Sequence, residues 1–120
     1  MIAIRRHVVA RFVGATAALG ACAAPKASAH HQVVLQSLVI QTAQLAVAPG
    51  DTVTWTNRDI VPHTVTATSG GWDSGLIAAQ ASWSRVITAA DTGEYFCRYH
   101  PTMRATLARS TTADAPRASN

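Results

Sequence analysis

Sulfur-containing residues are scarce in this 120-residue chain, which has two cysteines and two methionines. One of each, Cys22 and Met1, lies within the first 29 residues, so Cys97 and Met103 stand alone in the rest of the sequence. A single cysteine cannot form an intramolecular disulfide, which excludes the disulfide scaffold that many small exported domains use. Cys97 therefore needs another explanation.

Positive charge is also scarce beyond the first 29 residues. Four of the ten basic residues lie in that leader, whereas all six acidic residues follow it, so residues 30–120 carry a formal net charge of zero with His neutral. Nucleic-acid binders need a positive stripe, so we expect no nucleic-acid partner. The apolar run 12–24 is shorter than the ~20 residues that span a membrane, and no later run is longer, so we expect no transmembrane span in the mature chain.

The first 29 residues are typical of an export signal. Arginines precede an apolar stretch, and Ala27-Ser28-Ala29 is an A-x-A cleavage site, so residues 1–29 are predicted to be a cleaved signal peptide. This predicts a periplasmic or secreted protein. An alternative stays open, because Leu19-Gly20-Ala21-Cys22 resembles a lipoprotein signal that would leave the protein tethered to a membrane through Cys22. Arg5-Arg6 leaves both general secretion and twin-arginine export open.

Residues 30–110 are predicted to form one domain, followed by a flexible tail at 111–120. Short β-branched and alternating segments separated by turn residues predict about seven to eight strands and no long helix. This pattern predicts an all-β, antiparallel sandwich. The predicted strands cover residues 33–40, 44–47, 52–56, 63–68, 83–88, 94–98 and 103–109.

The residues with the most informative chemistry are four potential metal ligands. Cys97, His100 and Met103 fall within one seven-residue run, and His63 lies upstream in Val61-Pro62-His63-Thr64. A thiolate, two imidazoles and a thioether are the ligands of a blue-copper electron-transfer site, in which Met is the weak axial ligand. The alternative is coincidence, with Cys97 and Met103 as core residues and His100 on the surface.

Three segments carry a resemblance to a known family: residues 49–59, 61–65 and 93–104. Together they resemble the cupredoxins, in particular the amicyanin and plastocyanin branch. The resemblance implies a Greek-key β-sandwich and one type I copper ion per chain. It also implies a role for each ligand. His63 and His100 would bind through their imidazoles, Cys97 through its thiolate, and Met103 through its thioether in the axial position.

The sequence departs from the family at two positions beside these ligands. Thr64 stands where the family usually has Asn, whose backbone amide reaches the thiolate and whose side chain ties the ligand loops together. The Thr64 amide is still expected to reach sulfur, but the side-chain tie is in question, so we expect altered loop rigidity and potential. Tyr99 replaces a proline of amicyanin, which removes one rigid residue from the loop.

The resemblance implies a carrier of single electrons rather than an enzyme. We expect a monomer whose redox partner, a cytochrome c or a dehydrogenase or oxidase, docks at a solvent-facing edge of His100 ringed by Ile60, Pro62 and Pro101. Near-zero net charge favours brief contact. The remaining loop charges, Arg58-Asp59 and Arg98, are expected to be solvated, with contact to a partner left open for Arg98 because it lies among the ligands.

Two other functions remain open at this point. A copper-buffering or delivery protein would be favoured if His30-His31, at a fresh N-terminus, bound Cu(II). An immunoglobulin-like binding module without metal is suggested by residues 91–97, which match the D-x-G-x-Y-x-C signature of those domains. That module needs a second cysteine on an opposing strand, and the other cysteine lies in the leader.

Overall fold

The computed structural model describes residues 27–111, together with 14–16 and 20. Two four-stranded sheets pack face to face around one core, and a short 3₁₀ turn lies at Ala89–Asp91. None of the helical structure in these residues is long and apolar enough to cross a membrane. The strands are β1 His30–Gln36, β2 Val39–Ile40, β3 Gln44–Val47, β4 Thr52–Asn57, β5 Thr66–Ala67, β6 Ser82–Val86, β7 Gly93–Phe96 and β8 Arg104–Arg109.

The strand order confirms the sandwich and corrects the expected strand directions. One sheet has the order β2-β1-β4-β6 and the other has the order β3-β8-β7-β5. Each sheet contains one parallel pair, β1 with β4 and β3 with β8, so the predicted all-antiparallel pairing was wrong. The reason is that the chain crosses between the sheets several times, so strands distant in sequence become neighbours that run in the same direction.

Alternation along the strands builds the core. In β4 the inward positions Val53, Trp55 and Asn57 are buried, whereas the threonines between them are only partly covered. The hydroxyls of these threonines hydrogen-bond to serine hydroxyls of β6, so their polar groups have partners outside the core. The period-two pattern of the sequence therefore matches the alternation of buried and partly covered positions in β4.

An aromatic cluster fills the centre of the sandwich. The indole Nε1 of Trp55 donates to the Tyr95 hydroxyl at 3.1 Å, and Trp72 stacks on Trp83 with ring centroids 6.2 Å apart. Burial raises the pKa of Tyr95 to about 12, although the bond from Trp55 opposes this shift. Tyr95 is thus a neutral packing residue, two positions before Cys97.

The strand predicted at 33–40 is divided by a tight turn. Ser37 and Leu38 both have positive φ, at 57° and 58°, and the chain reverses into β2. Two consecutive positive φ values are typical of a type I′ hairpin turn, which usually requires Asn and Gly. Here the carboxylate of Asp59 accepts the Ser37 and Leu38 amides at 2.6 and 3.1 Å, and this distant contact stabilises the turn.

The predicted domain boundaries remain predictions. Most of the predicted leader and residues 112–120 lie outside the described residues, as does Cys22. Ala29, the predicted last residue of the leader, is described; it is exposed and directly precedes β1. Its N–H donates to Asp51 Oδ1 at 2.9 Å, and its carbonyl accepts the Thr52 amide at 2.9 Å.

Candidate metal centre

The loop that joins β7 to β8, residues 97–103, carries three of the four predicted ligands and is called the ligand loop below. The Cys97 amide donates to the Met103 carbonyl at 3.1 Å, which extends the β7–β8 pairing by one position. Between these residues, the His100 amide donates to Cys97 O at 3.3 Å and the Met103 amide donates to His100 O at 2.9 Å. Two successive turns thus place the three residues at the start, middle and end of one loop.

The fourth predicted ligand lies in residues 58–64, called the His63 segment. His63 exchanges two backbone hydrogen bonds with Ile77, at 3.1 and 2.7 Å. The buried Asn57 side chain donates to the carbonyls of Val61 and Ile77 and accepts the Asp59 amide. One buried amide group therefore fixes the path of the chain from β4 to His63.

The structure brings three of the predicted ligands together. Cys97 Sγ lies 3.7 Å from His63 Nδ1 and 3.8 Å from His100 Nδ1, and the three atoms lie within 4.8 Å of one another. Donor atoms bound at about 2.0–2.3 Å in a trigonal arrangement would lie roughly 3.6 Å apart. The donor set of one thiolate and two imidazoles also suits copper. These residues therefore fit a single copper ion.

Met103 lies beside this cluster. Met103 is 2% exposed, and its carbonyl accepts the Cys97 amide at the base of the ligand loop. This position is compatible with an axial thioether ligand. The role of Met103 as the fourth ligand stays a prediction.

Thr64 connects the two ligand-bearing segments. Its amide donates to Cys97 Sγ at 3.3 Å, as expected, and its hydroxyl oxygen accepts the Arg98 amide at 2.9 Å. The side-chain tie questioned on sequence grounds is therefore present, made by a Thr hydroxyl in place of an Asn amide. Thr64 is fully buried, so neither bond competes with water.

Asp59 is a site residue that sequence reasoning missed. Its Oδ2 lies 2.7 Å from His63 Nε2, and its side chain is 14% exposed, so the prediction that it is a solvated loop charge was wrong. Burial acts to raise the pKa of Asp59, but hydrogen bonds from His63 and two backbone amides lower it below its ordinary value. A carboxylate on the second nitrogen commonly orients a metal-binding histidine. The only sequence signal was an acidic residue four positions before His63.

The two N-terminal histidines lie at the opposite end of β4 from the His63 segment. His31 pairs with Val53, and its Nε2 lies 2.9 Å from Asp51 Oδ2. Burial acts to raise the pKa of Asp51, but the Ala29 and Ala48 amides and His31 lower it overall. Within the described residues, one group of three or more potential metal ligands lies close together. That group is His63, Cys97 and His100, and it does not include His30 or His31. The structure thus gives the copper-buffering alternative no additional support.

Comparison with known proteins agrees with this geometry. Residues 27–108 match the model of a family described as copper-binding proteins of the plastocyanin/azurin family. Amicyanin of Paracoccus denitrificans is 36% identical over 69 residues, which are 53% of this chain and about half (53%) of that protein's length. Amicyanin-alpha of Methylorubrum extorquens is 32% identical over 101 residues, or 75% of this chain and 83% of that protein.

Solved structures give the same result. A Cu(I) form of a mutant amicyanin superposes with a TM-score of 0.62 at 31% identity, covering 72% of this chain and 87% of that one. A second Cu(I) mutant amicyanin gives a TM-score of 0.61 at 30% identity over 68% of this chain and 82% of the other. The Greek-key sandwich expected from the sequence is thereby confirmed.

Proposed function

Because the chain belongs to the plastocyanin/azurin family of copper-binding proteins, we propose that it carries single electrons through one type I copper ion held by His63, Cys97, His100 and Met103. The observation that carries this proposal is the buried Cys97 sulfur, which lies 3.7 and 3.8 Å from two imidazole nitrogens. When bound, copper supplies the one-electron change between Cu(II) and Cu(I). The immunoglobulin-like alternative is wrong, because the family match includes Cys97.

The protein holds its donor atoms in place before any ion binds. Asn57 and the Ile77 bridge fix the His63 segment, the two successive turns fix the ligand loop, and Thr64 joins them. Such a framework resists rearrangement when the charge at the site changes, which favours rapid electron transfer. Four protein ligands would also leave no position for a substrate, so we propose a carrier and not an enzyme.

Electrons would enter and leave through His100. His100 is half-buried, whereas the other two clustered donors are fully covered. Exposed apolar side chains lie on the same loops, with Ile60 93% and Tyr99 49% exposed. A redox partner protein, such as a cytochrome c or a dehydrogenase or oxidase, would dock on this surface of a monomer. The contact would be brief, because residues 30–120 have no net charge to steer a partner strongly.

We also propose that the protein acts outside the cytoplasm. Residues 1–29 would be removed as a signal peptide, leaving a domain at 30–110 and a tail at 111–120 in the periplasm or medium. The match of the family model to residues 27–108 supports this division. Lipidation at Cys22, which would tether the same domain, remains the alternative, and the intact mass of the exported protein separates the two.

The proposed function is tested by the visible spectrum of the purified protein with one equivalent of Cu(II). We expect an intense thiolate-to-copper absorption band that a reductant bleaches reversibly, because the Cys97 sulfur lies within 4.8 Å of a nitrogen of both imidazoles. The matched control is Cys97→Ser, which keeps the shape of the side chain but removes the thiolate and should lack the band. A wild-type protein without the band would overturn the proposal.

A further inference from the structure

A closed ring of polar contacts lies beside the Cys97 sulfur. The Arg98 amide donates to Thr64 Oγ1 at 2.9 Å, the two threonine hydroxyls of Thr64 and Thr66 are 3.0 Å apart, and the Thr66 hydroxyl donates to Asp73 Oδ1 at 3.2 Å. Asp73 Oδ2 then contacts the Arg98 guanidinium at 3.0 Å. The contacts start and end at Arg98, and we call these four residues the polar ring.

The direction of each hydrogen bond in the polar ring follows from counting protons. A threonine hydroxyl has one proton to donate, and that of Thr66 goes to Asp73. The Thr64 hydroxyl must therefore donate to Thr66 while it accepts from Arg98. All three bonds run the same way and end on a carboxylate, an arrangement in which each bond polarises and strengthens the next.

The polar ring passes from the core to the surface. Thr64 is fully buried and Thr66 is 9% exposed, whereas the side chains of Asp73 and Arg98 are 35% and 53% exposed. The exposed end is held in place separately, because the Gly75 amide donates to Asp73 Oδ1 and Asp73 forms an isolated bridge with Thr66. The ring thus connects a fixed surface turn to the residue that donates to the thiolate.

On the basis of the proposed function, we propose that Thr66, Asp73 and the Arg98 side chain are positioning residues for the copper thiolate. They act through Thr64, whose hydroxyl they orient and whose amide donates to Cys97 Sγ. A hydrogen bond to the sulfur withdraws electron density from it, and such bonds tune the reduction potential of a copper–thiolate site. Breaking a contact of the polar ring should therefore weaken the bond from the Thr64 amide to Cys97 Sγ and lower the reduction potential of the copper site.

The test is Thr66→Val, which keeps the shape of the side chain and removes the hydroxyl in the middle of the polar ring. In the metal-free protein we expect the Thr64 amide to exchange with solvent about tenfold faster, because a hydrogen bond near 1.4 kcal/mol corresponds to a factor of ten. In the copper-loaded protein we expect a lower potential and a shifted thiolate band. Thr66→Ser, which restores the hydroxyl, should return the Thr64 amide exchange rate, the reduction potential and the thiolate band towards their wild-type values.

A matched control is available on the same edge of the sheet. The Thr68 hydroxyl donates to Glu94 Oε1 at 3.3 Å, another threonine–carboxylate bond, but Glu94 pairs with Arg104 and not with the ligand loop. Thr68→Val should leave the Thr64 amide and the potential unchanged. If Thr66→Val does not fold, the exposed pair Arg98→Gln and Arg104→Gln gives the same comparison, since each loses one positive charge and one ion pair.

The outcomes separate this inference from the proposed function. A wild-type protein without a thiolate band overturns the proposed function, whatever the variants do. A wild-type protein with the band, alongside a folded Thr66→Val protein with unchanged amide exchange and potential, overturns the positioning role alone. Equal effects of the Thr66 and Thr68 variants would also overturn it, since the response would not depend on the ring.

Discussion

The two segments that carry the histidines are supported in different ways. His63 is fully buried, exchanges two backbone bonds with Ile77, and presents its second ring nitrogen to Asp59. His100 lies in a turn of the ligand loop, is half-buried, and follows the exposed Tyr99. One histidine thus lies in the protein core, and the other lies near the protein surface.

This difference indicates how one small domain can meet two demands. A redox site needs a fixed geometry, and it also needs a short path to a partner. The His63 segment meets the first demand through contacts that belong to the core, and the ligand loop meets the second by placing an imidazole near solvent. Substitutions in the two segments should therefore differ sharply in their effects on folding.

The largest effect is expected for His63→Ala. Removing a buried ring leaves a cavity and deprives Asp59 of its partner, so the free energy of unfolding of the metal-free protein should fall by about 2–4 kcal/mol. Urea titration measures this change. Added imidazole should not restore the thiolate band, because the His63 position is fully covered by the protein. Recovery of the band would contradict the assignment of His63 as the framework ligand.

A smaller loss is expected for Asp59→Ala. This carboxylate accepts the Ser37 and Leu38 amides and contacts His63, so its removal should cost about 2 kcal/mol in the metal-free protein. Amide exchange at Ser37 and Leu38 should accelerate while that of His100 stays the same. Equal acceleration in both segments would show that they are not supported separately.

Asp91, outside both segments, provides an independent reference. Burial acts to raise its pKa, but two bonds from Arg85 and one from the Thr88 amide outweigh this and lower the pKa below 3.8. A folded-state pKa below the unfolded one adds stability above pH ~4 that disappears as the pH falls towards the folded value. Asp91→Asn should therefore cost about 2 kcal/mol at pH 7 and progressively less as the pH falls below about 4.

The measurement for Asp91 is urea unfolding of wild type and Asp91→Asn across this pH range, in the metal-free state. Both proteins retain the His63 segment and the ligand loop, so any change in amide exchange there would have to come through global unfolding. A difference between the two proteins that does not vary with pH would show that the carboxylate charge is not what Asp91 contributes.

The smallest change in folding is expected for His100→Ala. Because the ring is partly in solvent, the free energy of unfolding of the metal-free protein should change by less than about 1 kcal/mol. The thiolate band should nevertheless be lost and should return when imidazole is added, since a small ligand can reach the open position. A loss of stability as large as that of His63→Ala would remove the distinction between the two segments.

The sequence predicted most strands where alternation was strong, and it failed where distant contacts decide the backbone. The predicted strand at 52–56 is confirmed as β4 within one residue. The division of 33–40 into two strands was missed, because Ser37 and Leu38 are unusual at positive φ and the acceptor of their amides lies more than twenty residues away. The parallel pairs were missed because local patterning carries no information on which strands become neighbours.

The residues of the site were likewise predicted only in part. The spacing of Cys97 and His100 identified the ligand loop, since these side chains perform the chemistry and few others of their type occur. Asp59 and Asp73 were missed, because an acidic side chain in a polar loop has no local feature that distinguishes a solvated charge from a hydrogen-bonded one. Only the folded structure shows that each contacts a residue that supports the thiolate site.

The backbone contacts of Ala29 have a consequence for the mature protein. Its N–H donates to the Asp51 carboxylate and its carbonyl accepts the Thr52 amide, although the residue itself is exposed and precedes β1. If the leader is cut after Ala29, both contacts leave with it. The mature protein would then begin at His30, with one hydrogen bond fewer at Asp51 and one fewer at Thr52.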